Sequence, residues 1–350
     1  MTPQGTLAPG FRALTLNHGR ISLRWHPRTV ISCAVLIVIA LAVGFASLSQ
    51  GKLELSPGEL WTILIGQGDP AATSIVWEIR MPRVLTGLFT GACLAISGAV
   101  FQSLSRNALG SPDLIGFTSG AATGAVAAIM LAGAGVVAVG LASIAGGLVT
   151  AIAVYVLARK NGETDGQRLI LVGIGVGALL QAVTVILLTR GHADIAIGAQ
   201  MWLTGTLNLR GWDNVATVGI ALVLLLPALI LGARHLNALE FDEGLARQLG
   251  VKTERVRLLT MGAGVALVGL ATAATGPIGF VALAAPHLAR RLVRVSHVPL
   301  AASACLGATL LLAADLLGQV LPISAKLPVG LMTGVLGGFY LLWLLLRKTP

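Results

Sequence analysis

The chain alternates long apolar runs with short polar breaks, and the runs have the length that crosses a lipid bilayer. A spanning helix needs about 20 predominantly apolar residues. Val30 to Leu48 is the first such run, and Val84 to Leu104 is the second, almost wholly apolar or small. The turn Arg106-Asn107-Ala108-Leu109-Gly110-Ser111-Pro112-Asp113 follows, with the Asn, Gly and Pro that punctuate helices, and then a third apolar helix. Further runs lie near 136–158, 169–189, 213–232, 257–275, 277–293, 299–318 and 327–346. The pattern predicts an all-α, polytopic membrane protein of about ten transmembrane helices. The run 192–207 is too short to cross and reads as a half-helix at the outer surface.

The polar breaks carry their own signals. Ser56-Pro57-Gly58-Glu59-Leu60-Trp61 is a cap-like start for a short surface helix, and Trp61 and Trp77 suit a membrane interface. Pro82 fits the first turn of its helix, where a missing N–H costs nothing. Small residues recur at close-packing spacing: Gly87/Gly91, Gly116/Gly120/Gly124, Gly173/Gly177 and Gly330/Gly334/Gly338. The longest polar break, about 236–252, reads as a short amphipathic helix. Leu245 and Leu249 stand at i, i+4, Asp242 and Glu243 lie near its start, and Gly250 is a helix stop.

Composition sharpens this picture. Of 350 residues 55% are hydrophobic and 11% charged, and the mean hydropathy is +0.87. So much apolar surface cannot hide in a soluble domain, so the membrane is the solvent. The net charge of +10 is spread over short breaks, not gathered into a nucleic-acid-binding stripe. With a cytoplasmic N-terminus, 18 of the 24 Lys and Arg residues fall inside, the asymmetry of the positive-inside rule. Both termini are then cytoplasmic. Residues 1–29 are a flexible basic tail, and 30–348 form one transmembrane domain. A basic start before an apolar run also describes a signal peptide, but this run is long and further spans follow, so it reads as a retained anchor.

Candidate chemistry is sparse. No Gly-x-x-x-x-Gly-Lys-Ser/Thr loop is present, so the chain does not itself bind and split ATP; His-Glu-x-x-His and Gly-x-Ser-x-Gly are absent too. Cys33, Cys93 and Cys305 lie singly in apolar runs, and no cluster is spaced for a metal or implies a cofactor. Two ionisable residues stand inside apolar runs. His287, beside Pro286, reads as a structural histidine capping backbone freed by the proline, or as a proton relay. Asp315 is a functional candidate by default, though near a helix end it can pair cheaply with a neighbour. An ion-coupled secondary transporter would need more intramembrane charge than this.

Three stretches carry a resemblance: Arg80-Met81-Pro82-Arg83; Ser97-Gly98-Ala99-Val100-Phe101-Gln102-Ser103-Leu104 with Asn107-Ala108-Leu109-Gly110-Ser111-Pro112-Asp113; and Thr275-Gly276-Pro277-Ile278-Gly279-Phe280 running on to Pro286-His287-Leu288-Ala289-Arg290-Arg291. Together they resemble the ABC-transporter permeases for iron–siderophore complexes and vitamin B12, most of all the second permease subunits of ferric-enterobactin uptake. Ala108 departs from the family turn, which reads Asn-Pro-Leu. The resemblance implies a type II ABC importer permease fold in a bacterial inner membrane. It implies a homologous permease as partner, an ATPase dimer, an external siderophore-binding protein and a ferric, enterobactin-like catecholate as cargo. By the same resemblance Arg80 and Arg83 meet the binding protein, Asn107 and Leu109 close the cytoplasmic gate, and the segment with Asp242, Glu243, Ala246, Leu249 and Gly250 docks the ATPase.

Overall fold

The computed structural model describes residues 12–16, 21–51, 53–160, 163–164, 166–190, 192–241, 243–295, 298–321 and 327–346. The basic tail is not featureless. β1 (Arg12–Leu16) and β2 (Ile21–Trp25) pair antiparallel, with Leu14 opposite Leu23 and Leu16 opposite Ile21. Leu14 and Leu16 in the first strand and Ile21, Leu23 and Trp25 in the second stand at every second position of the sequence, a period-2 pattern that is easily overlooked beside the long apolar runs. Then come α1 (Pro27–Ser49), α2 (Pro57–Leu64) and α3 (Pro70–Ser74). Ser56 and Glu59 form the reciprocal capping box that starts α2. One π-helical turn, Ile75–Arg80, leads without a break into α4 (Met81–Ser105).

The remaining elements are α5 (Phe117–Ala132), α6 (Val136–Ala158), a two-residue ladder of β3 (Arg159–Lys160) and β4 (Glu163–Thr164), α7 (Gly166–Arg190) and α8 (Ala193–Leu203). After them come α9 (Trp212–Phe241), α10 (Glu243–Gln248), α11 (Thr253–Thr275), α12 (Val281–Val293), α13 (Leu300–Val320) and α14 (Val329–Leu346). Seven helices among the described residues are long and apolar enough to cross a membrane, and α5 and α14 are shorter apolar helices. The tenth expected crossing differs from its reading. The run 277–293 is not one helix: Gly276 to Phe280 is non-helical, and α12 covers only 13 residues after it. Pro277 withholds a helical N–H, and Gly276 (φ 78°) takes a backbone shape helices do not use.

α4 is the axis of the bundle, with 83% of its spanning stretch buried against α13, α9, α11 and α12. Small residues make this possible. A Cβ on Gly91 would lie 2.4 Å from the Gly307 oxygen, and one on Gly307 would lie 2.3 Å from the Gly91 oxygen. Backbones of α4 and α13 therefore touch, the close approach that holds helices together where lipid removes the hydrophobic drive. The spacing of Gly330/Gly334/Gly338 is only partly used: Gly330 meets Thr204, and nothing lies within 4 Å of a Cβ at Gly334 or Gly338. Gly337 makes the close contact instead, under the Phe280 ring. We call the end of the bundle with Arg290 and the close of α4 the basic end, and the end with Arg83 and Asp315 the far end.

Candidate functional site

The turn after α4 begins with strain. Arg106 adopts φ 49°, the left-handed shape glycine favours, and the amides of Arg106 and Asn107 return to the carbonyls of Ser103 and Gln102. Asn107 Oδ1 then accepts the Leu109 N–H at 2.9 Å, closing a side-chain turn that needs no proline at Ala108. Leu109 is 50% exposed, so half of it stays open at this end of the bundle. Beyond it the chain climbs back between the helices. Gly116 (φ 85°) seats against Gly173 and Gly177 of α7, and Phe117 tilts against Phe101 of α4 with ring centroids 5.1 Å apart. Asp113 thus sits inside the bundle, where its carboxylate accepts the Thr118 hydroxyl at 2.5 Å and the Phe280 N–H.

Phe280 is the start of α12. Its φ of 75°, with the Val281 N–H bonded to the Gly279 carbonyl at 2.9 Å, makes a γ-turn of the strained kind. Asp113 thus supplies the acceptor for the first free N–H of this helix start. Two contacts then fasten α12 to α4. Pro286 lacks the N–H that would bond Ala282, and that freed carbonyl faces Gly98, where a Cβ would lie 1.7 Å from the oxygen. The next carbonyl, of Leu283, accepts Gln102 Nε2 at 2.9 Å. Gly98 is 15 residues from Arg83, roughly 22 Å along α4 at helical rise, so α12 begins deep in the bundle. His287 caps no freed backbone through Nε2, which is buried without a hydrogen-bond partner among the described residues. Its ring stands edge-on to Tyr340 of α14, centroids 6.4 Å apart, and the Tyr340 hydroxyl also lacks a partner.

At the far end both arginines turn inward. Arg80, 8% exposed, donates to the Leu48 and Leu53 carbonyls at 2.6 and 2.5 Å, capping the last turn of α1. Arg83 grips Asp315 with two bonds, Nε to Oδ2 at 2.9 Å and Nη2 to Oδ1 at 2.8 Å. Gln319 Nε2 donates to the same Oδ2 at 2.8 Å and to Ser47 Oγ at 3.0 Å. Asp315, 3% exposed, therefore has both oxygens hydrogen-bonded inside the chain. Above the pair lies a hollow of about 690 Å³ bordered by Ser47, Glu54, Arg80, Arg83 and Gln319.

At the basic end α10 is closed by Gly250 in the left-handed region (φ 79°). The Gly250 N–H reaches Arg247 O and the Val251 N–H reaches Ala246 O, a Schellman ending. Ala246 is buried beneath the helix, while Leu249 is 69% exposed. Asp242 lies outside the described residues, and Glu243 opens α10.

The chain matches known proteins along most of its length. The family model of the FecCD transport family matches residues 36–347. The chain belongs to that family. A ferric enterobactin transport system permease protein, FepG of Escherichia coli K12, is 42% identical, covering 92% of this chain and 97% of its own. The achromobactin transport system permease protein CbrC of Dickeya dadantii is 38% identical, covering 96% and 97%. Among solved structures, a chain of a transporter described as metal-chelate ABC type, in an inward-facing conformation, superposes with a TM-score of 0.81 at 30% identity, covering 91% of this chain and 99% of that one.

Within this FecCD chain the expected site residues fall into separate places. Asn107 and Leu109 lie at the basic end; His287 lies inside, on α12; Arg80, Arg83 and Asp315 sit together at the far end. Asp113 and Phe280 were not singled out from sequence, because 167 residues separate the two partners and only the fold joins them. Cys33 and Cys305, read as solitary, come within thiol hydrogen-bonding reach where α1 runs beside α13.

Proposed function

We propose that the chain is the membrane-spanning permease subunit of an ATP-driven ABC importer for ferric siderophores, in a bacterial inner membrane with both termini cytoplasmic. The observation that carries this is the 42% identity with a ferric enterobactin permease across 97% of that protein. The cargo on this reading is an enterobactin-like catecholate complex. The path lies between this chain and a homologous permease, and a separate ATPase dimer drives it. An external binding protein delivers the cargo at the far end, around the hollow over Arg83. Since Arg80 and Arg83 are held inside the chain, they shape that surface from beneath and do not reach out as free charges. At the basic end Asn107 and Leu109 form the inner gate, with Leu109 exposed on a short turn, and the segment with Asp242, Glu243, Ala246, Leu249 and Gly250 docks the ATPase, with Leu249 offered to it.

An ion-coupled carrier acting alone finds no support in Asp315, whose oxygens are filled by Arg83 and Gln319. The test is uptake of iron-55 from a panel of siderophores by a strain lacking this chain and by its complemented parent. Loss of catecholate uptake alone, restored by the intact chain, is the expected result. Equal uptake of every chelate in both strains would overturn the proposal.

A further inference from the structure

We propose that Glu240, on the last turn of α9, is the positioning residue that carries movement of the ATPase-docking segment to α12. This inference rests on the docking role of α10 given above. Glu240 lies three residues before α10 begins, and its carboxylate joins three helices. Oε1 accepts Arg290 Nη1 of α12 at 2.5 Å, and Oε2 accepts Ser103 Oγ of α4 at 3.1 Å. The ion pair is mostly buried, with side chains 26% and 16% exposed for Arg290 and Glu240. One turn earlier, Asn237 Oδ1 accepts the Val298 N–H in the link from α12 to α13. The end of α9 therefore grips α12 at its last turn and just beyond.

Arg290 depends heavily on this one carboxylate. Its Nε and Nη2 are buried without hydrogen-bond partners among the described residues. A buried guanidinium is costly to leave unpaired, so it follows the carboxylate if that moves. The other end of α12 is held to α4 and so serves as the pivot. It begins at the strained γ-turn of Phe280, after a non-helical stretch holding Gly276 and Gly279, the kind of terminal segment that absorbs backbone rotation. A shift of α10 pulls the basic end of α12 through Glu240, and α12 pivots about Phe280. His287 and Tyr340 lie between pivot and grip, so the pivot alters the surface where α12 meets α14.

The experiment uses the full importer in proteoliposomes, with Cys33, Cys93 and Cys305 changed to Ala. Glu240→Cys with Arg290→Cys removes the ion pair and allows a short bismaleimide bridge to replace it. Without the bridge, ATP hydrolysis is expected to continue while cargo moved per ATP falls about tenfold, the size of a typical coupling energy. With the bridge, that ratio returns to within about twofold of the parent, because the two helix ends need only move together. Glu240→Gln, which keeps the Ser103 contact, is expected to uncouple in the same way and serves if the cysteine pair accumulates poorly. A normal ratio in the unbridged pair or in Glu240→Gln, or transport blocked by the bridge, overturns the inference. Leu249→Cys cross-linking to the ATPase separates the causes. Cross-linking with a normal Glu240→Gln ratio rejects the link alone; no cross-link, with normal transport in Gly250→Glu, rejects the docking reading and the inference with it.

Discussion

Asp315 and Arg83 show how one buried pair settles what a lone residue leaves open. Read by itself, an acid in an apolar run is a candidate for transport chemistry. In the fold its two oxygens accept two guanidinium bonds and an amide bond, so the acid is held as a structural partner. Removing one partner strands the other in a low-dielectric place. Asp315→Ala is therefore expected to cost ~3 kcal/mol, read as a lower midpoint of thermal unfolding in detergent. Arg83→Gln with Asp315→Asn leaves no uncompensated charge and should recover most of that loss. If the double variant is as unstable as the sum of the singles, the pair is not the reason for the loss. The sequence marked Asp315 and Arg83 as notable, yet 232 positions separate them, and no local pattern could join them. The cysteines of α1 and α13 stayed hidden for the same reason, since contact across a bundle leaves no periodic trace in either helix.

The long apolar elements were legible: α1, α4, α6, α7, α9, α11 and α13 all follow apolar runs read from the chain, although α9 continues past its run 213–232 to Phe241, into the stretch read as part of the docking loop. What failed was the element whose period is broken. The stretch 277–293 has the length and apolarity of a span, but Pro277, Gly276 and Gly279 divide it, so hydropathy alone overstates the helix. α12 then survives as a half-length helix because α4 supplies what it lacks: a smooth patch at Gly98 for the freed Ala282 carbonyl, and Gln102 for the Leu283 carbonyl. Gly98→Ala puts a methyl 1.7 Å from that oxygen, and overpacking of this kind costs about 1–3 kcal/mol. The expected readout is a less stable protein with faster proteolysis between α11 and α12, and unchanged stability would show that the contact relaxes freely. Asp113→Asn tests the other fastening. It keeps an acceptor for the Phe280 N–H and should cost little, whereas Asp113→Ala leaves that N–H without its acceptor and should cost about 1–3 kcal/mol more. Equal stability of the two variants would mean that the hydrogen bond to the Phe280 N–H contributes nothing.

At the scale of the whole molecule, the basic end and the far end differ in what they leave exposed. At the far end Arg80, Arg83 and Asp315 are held in internal bonds while Glu54, Glu59 and Glu78 stay exposed, and the basic end presents Leu109 on a short turn and Leu249 on α10. On the proposed reading these two leucines face different partners, the cargo path and the ATPase. The gate prediction concerns the first. An apolar constriction closes a pathway by excluding water, and the side chain that does so must project from its turn. Leu109 projects, its turn fixed by the Asn107 side chain in place of a proline ring. Ala108 leaves the turn more backbone freedom than a proline ring would. A cysteine at Leu109 should react quickly with a membrane-impermeant thiol reagent from the cytoplasmic side in one nucleotide state of the importer and slowly in the other. Leu109→Gly should leak small solutes when reconstituted, and Asn107→Ala, which frees the turn, should narrow the difference between the two states. A cysteine that reacts at one rate with and without trapped nucleotide, beside a tight Leu109→Gly importer, would leave Leu109 as an exposed side chain with no part in closing the path.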